Sequence, residues 1–384
     1  MEPAAARQAR QRRRRRVVFS VLFVLLVLIA GAVAYGARQL LEMREIPDYT
    51  GTGATDVVVR VEQGDTTSAI ASRLVSAGVV KSARAFTLAA EDDQRVRAIQ
   101  PGYYLMRTRM SGEAAVSQLV DPASAVGRLS IRAGWQLDDV TLPDGTVTPG
   151  ILSRISETSC ARLNGTRTCV TPDELRRAMA ENEPAELGVP DWATDAVSRV
   201  EPGKRLEGLI MPGNYDVRPG SSAEELLAQV MATSTTRLQA AGLPGEEQPG
   251  GFDPYQVLTI ASIIEREAIT ADFGKVSRVI YNRLDERFAL QMDSTINYPL
   301  DRQQITTTDA DRGAPGPYNT YLNPGLPPSP IGTPSTEAVA AAMNPEPGPW
   351  RYFVKCQTDG TSCFSVSIEE HSAAVADARA RGIF

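Results

Sequence analysis

A basic cluster running straight into an apolar stretch constrains this chain more than any other feature. Arg7, Arg10 and Arg12 to Arg16 lead into Val17 to Gly36, 20 residues without a charged side chain. At about 1.5 Å rise per residue, a helix over this stretch spans a hydrocarbon core of roughly 30 Å. Arginines on its N-terminal side keep that end in the cytoplasm and place everything beyond Gly36 outside. Ala32-Val33-Ala34 also fits a signal-peptide cleavage site. The apolar run, however, exceeds the usual h-region of about 7 to 15 residues, so an uncleaved single-pass anchor in the cytoplasmic membrane is expected. On either reading the body of the protein is exported.

Charge follows the same division. Residues 1 to 16 carry +6 and the whole chain −6, leaving −12 on the remainder. A body that acidic repels phosphate backbones, which excludes nucleic acid as a partner. All four cysteines, Cys160, Cys169, Cys356 and Cys363, lie on the exported side, where disulfides persist. Of the three possible connectivities, Cys160 with Cys169 and Cys356 with Cys363 is expected, because Asp359-Gly360 is a turn signal that brings the second pair together. A structural zinc site is the competing reading. It lacks any C-x-x-C pair, and His371 is the single histidine, so no metal is expected.

Beyond a tether over 37–54 with Pro47, Gly51 and Gly53, the pattern predicts a strand over 57–61, helices over 68–77 and 82–92, a strand over 103–107 and a helix over 111–119. Together these form a small α/β module. Leu129 to Gly134 echoes its opening strand and glycine too weakly to be a repeat. Residues 141–195 are rich in Asp, Pro, Gly and Thr, with one helix expected over 171–182. Asn164-Gly165-Thr166 fits a glycosylation sequon, a pattern short enough to arise by chance. Leu243 to Gly251 reads as a linker or long loop.

Asp253-Pro254 is a strong helix start, an N-cap followed by proline in the first turn. Val257, Leu258, Ile260, Ala261, Ile263 and Ile264 then give an apolar surface too broad for a helix with a large solvent face. Glu265 follows, stacked beside Ala261 and Leu258. Among apolar neighbours such a carboxyl keeps its proton more readily and can donate it to a glycosidic oxygen. Glu267 points about 200° further round the helix and is expected to be solvated. The helix pattern alone favours a structural ion pair at Glu265 over a catalytic role. His371 reads as a surface residue near a helix start.

Several segments, taken in order, add a resemblance. They are Leu206-Glu207-Gly208-Leu209 with Pro212 and Tyr215; Ala261 to Glu267; Asn282-Arg283-Leu284; Leu290 to Thr295 with Tyr298; Tyr318-Asn319-Thr320-Tyr321; Gly325-Leu326-Pro327-Pro328; and Tyr352-Phe353-Val354. This series resembles the YceG-like family of endolytic murein transglycosylases over roughly residues 55 to 384. The resemblance puts the family's catalytic glutamate on Glu265, and Gln291, Asp293, Asn319 and Tyr321 on recurrent positions expected to line the cleft. It implies a LysM-like subdomain at the first module, no cofactor, peptidoglycan glycan strands as substrate, and peptidoglycan synthases as partners. Its implied reaction is non-hydrolytic cleavage between N-acetylmuramic acid and N-acetylglucosamine, with Glu265 as acid and then base. Rival readings are a hydrolytic muramidase using Asp293 or Glu207, and a catalytically silent glycan-binding scaffold. The chain leaves the pattern twice: Pro-Asp-Thr-Tyr becomes Pro212-Gly213-Asn214-Tyr215, and Asp-Pro-Thr becomes Asp293-Ser294-Thr295.

The expected fold class is α+β, with one N-terminal transmembrane helix, a LysM-like α/β subdomain and a C-terminal mixed α/β catalytic domain. The expected partition is a cytoplasmic tail at 1–16, the membrane helix at 17–36, the tether at 37–54, the LysM-like subdomain at 55–122, an intermediate part at 123–250 and a catalytic core at 251–384.

Overall fold

A computed structural model of the chain describes residues 18, 21–22, 24–33, 46–246, 248–300, 304 and 307–383. The cytoplasmic tail, and parts of the expected membrane helix and tether, lie outside the described residues. Residues 24–33 are helical with exposed apolar side chains. Among the described residues, no helix is long and apolar enough to cross a membrane.

Two compact units divide the chain discontinuously. The first comprises residues up to 55, 65–99 and 106–120 and holds three capped helices, α1 (Thr67–Ser76), α2 (Ala83–Glu91) and α3 (Gly112–Leu119). Thr66, Ser82 and Ser111 each accept the backbone N–H three residues on, satisfying a donor the helix leaves open. Ile70, Leu74, Phe86, Met106, Val116 and Leu119 form its core. Helices α2 and α3 approach closely at Gly112, where a Cβ would lie 2.4 Å from the Ala85 carbonyl oxygen.

The second unit, residues 56–64, 100–105 and 121 onward, carries a three-stranded sheet in the order β1 (Asp56–Val61), β2 (Gly102–Arg107), β3 (Ala125–Val126). Four antiparallel two-stranded ribbons follow in chain order of first strand. Strand β4 (Arg128–Ile131) pairs with β9 (Gly213–Asp216), β5 (Val140–Thr141) with β6 (Val147–Thr148), β7 (Ala161–Leu163) with β8 (Thr166–Thr168), and β10 (Tyr352–Lys355) with β11 (Ser362–Ser365). The echo after Leu129 stops at β4: a loop and the β5–β6 hairpin follow where the first module has a helix. Asn164-Gly165 is the turn of the β7–β8 hairpin, with both residues at positive φ, and Asn164 exchanges hydrogen bonds of 2.7 Å with Asp56. Disulfides join Cys160 to Cys169 and Cys356 to Cys363, the local pairing the spacing predicts.

The helices of this unit are α4 (Ile151–Ser159), α5 (Pro172–Glu181), α6 (Asp191–Val197), α7 (Ala223–Ala240), α8 (Pro254–Glu267), α9 (Phe273–Asp285), α10 (Asp293–Asn297), α11 (Asp309–Gly313), α12 (Thr336–Met343) and α13 (Ile368–Ala380). Helix α8 is the centre, packed by α6, α9, α10 and α12. Asp253 and Gln256 close a capping box at its start, and Val257 through Ile264 are all buried. Its two polar members stay satisfied: Thr259 donates to the Tyr255 carbonyl and Ser262 to that of Thr259. Ser262 Oγ also accepts the Ile331 N–H at 3.0 Å, fixing the 329–335 segment over the helix.

The first departure from the family pattern has a physical reason here. Gly213 has φ +133°, and a Cβ on it would lie 2.3 Å from the Arg237 guanidinium. That guanidinium covers the Tyr215 ring and donates to the carbonyls of Pro212 and Asn214. In this chain, glycine makes room for arginine.

Candidate active site

Glu265 occupies the last turn of α8 and is half-buried. Its neighbours are not purely apolar as the helix pattern implies. One residue, Ser335, donates twice to Glu265 Oε2, from its backbone N–H at 3.0 Å and from its hydroxyl at 2.5 Å. Ser335 is also the N-cap of α12, accepting the Ala338 N–H at 3.1 Å. Glu265 Oε2 therefore sits at the N-terminus of α12, tied to its cap residue.

Ser335 is held in turn by the loop that follows β4. Gly134 N–H donates to the Thr333 carbonyl and Thr333 N–H to the Trp135 carbonyl, both at 2.7 Å. Gly208 packs against Pro330 so closely that a Cβ would lie 2.3 Å from the proline Cβ. Glu207 beside it is 2% exposed and accepts from the Leu137 N–H at 3.2 Å and the Tyr298 hydroxyl at 3.0 Å. Its other oxygen is buried without a partner, and burial pushes its pKa up to about 7. Three separated segments, 206–209, 261–267 and 325–335, thus converge on one place.

Between Glu265 and Glu267, the half-buried Arg266 donates to the Gly134 carbonyl at 3.2 Å. Burial pulls its pKa down, while Glu267, Glu207 and Glu265 hold it up. Glu267 is partly enclosed and not solvated as helix geometry suggests, because α10 packs on the end of α8. Its carboxylate accepts the Ser294 N–H at 3.2 Å, and burial raises its pKa. The second departure from the family pattern makes that bond possible, since a proline at 294 has no N–H to give.

The remaining expected cleft residues fall on two paired segments. Gln291 is exposed, has φ +51°, and donates its N–H to the Thr320 carbonyl at 3.1 Å. A non-glycine residue in that conformation is costly, and such cost clusters at functional sites. Asp293 accepts from the Tyr321 hydroxyl at 2.6 Å and pairs with Arg312 at 3.2 Å. Arg312 also lies over the Tyr321 ring at 5.3 Å. Tyr321 is held protonated by burial and by that bond to Asp293. Asn319 is 2% exposed and uses its amide inside its own loop. It donates to the carbonyls of Arg312 and Ala314 and accepts from the N–H groups of Tyr321 and Leu322. With donors and acceptor engaged, it positions Tyr321. His371 stacks on Tyr352 at 5.3 Å, away from the contacts of Glu265.

Sequence reasoning passes over Ser335. A serine after Pro334 and before Thr336-Glu337 is a helix-start signal, but nothing local to it points to Glu265. Ser335→Ala is expected to lower turnover on the order of tenfold with little change in KM, since it removes one charge-assisted bond and leaves the backbone donor. Ser335→Thr keeps cap and donor and should restore most of the rate. Steady-state kinetics on both variants check this, and equal turnover in wild type and Ser335→Ala would refute it.

Fold and site together define a mixed α/β protein that presents a half-buried, doubly hydrogen-bonded carboxyl at the end of a buried helix. The YceG-like family matches residues 59–377, and the chain belongs to that family. It is 27% identical over 351 residues to the endolytic murein transglycosylase of Bacillus subtilis, covering 91% of this chain and 90% of that protein. It is 26% identical over 336 residues to the endolytic murein transglycosylase of Streptococcus pneumoniae, covering 84% of this chain but only 58% of that protein. The crystal structure of a yceG-like protein from Listeria monocytogenes matches with a TM-score of 0.52 at 24% identity, covering 83% of this chain and 98% of that one. At that identity the likeness speaks for the fold.

Proposed function

We propose that the chain is an endolytic lytic transglycosylase that cuts peptidoglycan glycan strands with Glu265 as its single acid/base. Family membership supports the reaction class, and the contacts of Glu265 carry the assignment. In the first step Glu265 passes its proton to the glycosidic oxygen between N-acetylmuramic acid and N-acetylglucosamine as the C1–O bond breaks. Ser335 then stabilises the carboxylate with its two donors. In the second step that carboxylate takes the proton of the muramic C6 hydroxyl as O6 bonds to C1, giving a 1,6-anhydro end.

A two-carboxylate hydrolase uses its second carboxylate to activate water or attack C1. Asp293 is committed to Arg312 and Tyr321, Glu267 to Ser294, and Glu207 is buried. Mass spectrometry of digested strands tests the reading. Anhydro ends are the expected product, and reducing muramic ends would overturn it in favour of hydrolysis.

The arginine cluster and apolar run at 7–36 support a single-pass anchor with the site outside the cytoplasmic membrane. The strand, helix, helix, strand order over 56–107 supports a LysM-like, glycan-holding module. An anchored enzyme of this kind would end elongation of nascent strands beside the synthases that make them. Recovery of the chain in the soluble fraction, shortened at its N-terminus, would refute the anchor.

A further inference from the structure

From Val257 to Ile264 every residue of α8 is buried, and within that run Thr259 and Ser262 are the polar members. Thr259 bonds inside its own helix, whereas Ser262 also reaches out of it, to the segment that carries Ser335. We propose that Ser262 is a positioning residue for the reaction, setting where Ser335 stands against Glu265; this rests on the glycan-cutting reading.

Alanine at 262 would suit both helix and core, since a buried hydroxyl costs free energy unless it is paired. Ser262 is paired twice. It donates to the Thr259 carbonyl at 2.7 Å and accepts the Ile331 N–H at 3.0 Å, so it answers a backbone donor on a residue that is itself fully buried. That second bond is what serine adds here.

Spacing ties it to the acid/base. Residues 262 and 265 lie three apart, as neighbours on one side of the helix, and the segment they hold runs from Ile331 to Ser335. Ile331 is fixed at Ser262, Thr333 bonds through its N–H and its carbonyl to the loop after β4, and Ser335 ends on Glu265. The residues between add little slack. Pro334 has its φ set by the ring, and Gly332 passes Trp135 so closely that a Cβ would lie 3.1 Å from the tryptophan carbonyl oxygen. A shift at Ile331 is therefore passed to Ser335, where displacement weakens both hydrogen bonds to Glu265.

The test is steady-state cleavage of peptide-free strands by the full-length chain, with kcat and KM read separately. Ser262→Ala is expected to lower kcat about fivefold with KM unchanged, because Glu265 keeps its place and only its donor moves. Val257→Ala truncates the same buried helix; it should cost at least as much in melting temperature and leave kcat within about twofold. Coupling is the sharper readout. Added to Ser335→Ala, Ser262→Ala should cost at most about a further twofold, since the hydroxyl it positions has already gone. Losses that multiply in the double variant, an unchanged kcat in Ser262→Ala, or an equal loss in Val257→Ala would each overturn the inference. Should Ser262→Ala fail to fold, Ser262→Cys fills the same space with a weaker acceptor and carries both comparisons. A wild type that releases no anhydro ends would show a different failure, that of the cleavage reading itself, and would take this inference with it.

Discussion

Glu265→Gln is expected to lower strand cleavage by at least about 10³-fold while leaving strand binding within a few-fold, because the amide can make neither proton transfer of a one-carboxylate mechanism. The substitution is nearly isosteric, and its carbonyl oxygen can still accept from Ser335, so the local packing should survive. Three other carboxyls of the motif segments are engaged elsewhere among the described residues. Glu267 is held under Ser294, Asp293 is paired with Arg312 and Tyr321, and Glu207 is buried 2% exposed. Anhydro-product formation by wild type and variant, measured side by side on purified strands, checks the expectation. Retention of more than a tenth of the wild-type rate would sink the assignment. So would normal cell-wall glycan ends in cells carrying only the variant, which would favour the scaffold reading.

The boundaries that the sequence predicts well are those set by signals a few residues long. Asp253, Pro254 and Gln256 start α8, Thr171 and Glu174 start α5, and the helices of the first unit fall within a residue or so of their expected ends. Each signal is a cap bonding three residues away, so the information is local. By the same logic α7 is readable, because Ser222 and Glu225 form the same reciprocal box. The disulfides belong with these successes, since each closes a loop of fewer than ten residues.

The site is different, because its determining contacts cross long stretches of chain. Ser335 meets Glu265 at a separation of 70 residues, Ser294 meets Glu267 at 27, and Tyr298 meets Glu207 at 91. Helix periodicity gives the direction in which Glu267 leaves α8 but not that α10 is waiting there. It marks Glu265 as adjoining an apolar surface, but not that the group facing its carboxylate is a helix N-terminus. For Asn319, the resemblance supplies a position and the hydrogen bonds supply its work, which lies within its own loop. The two departures from the family pattern become intelligible only with partners in view: Arg237 at Gly213, and Glu267 at Ser294.

Glu207→Gln is expected to flatten the pH dependence of stability between about pH 4.5 and 7, and to leave the variant relatively more stable than wild type at pH 8 than at pH 4.5. In the folded chain, burial raises the Glu207 pKa from 4.5 to about 7, against the pull of its bonds to Leu137 and Tyr298. Below pH 4.5 the group is protonated in both states and its ionisation contributes nothing. As the pH rises toward 7 the unfolded chain releases the proton while the folded chain keeps it, so the native state binds more protons and stability falls. Above 7 both states are ionised and the loss levels off at roughly 3 kcal/mol, about 1.4 kcal/mol for each unit of pKa difference. Glutamine keeps an acceptor for the two donors and never ionises, so it escapes that loss. Melting temperatures of both full-length proteins across this range check the expectation, and parallel curves would refute it. The consequence reaches the site: Glu207 ties the 134–137 loop to α10, and that loop holds the segment from which Ser335 reaches Glu265. The cost of burying that charge above pH 7 therefore falls on the loop that supports the contact between Ser335 and Glu265.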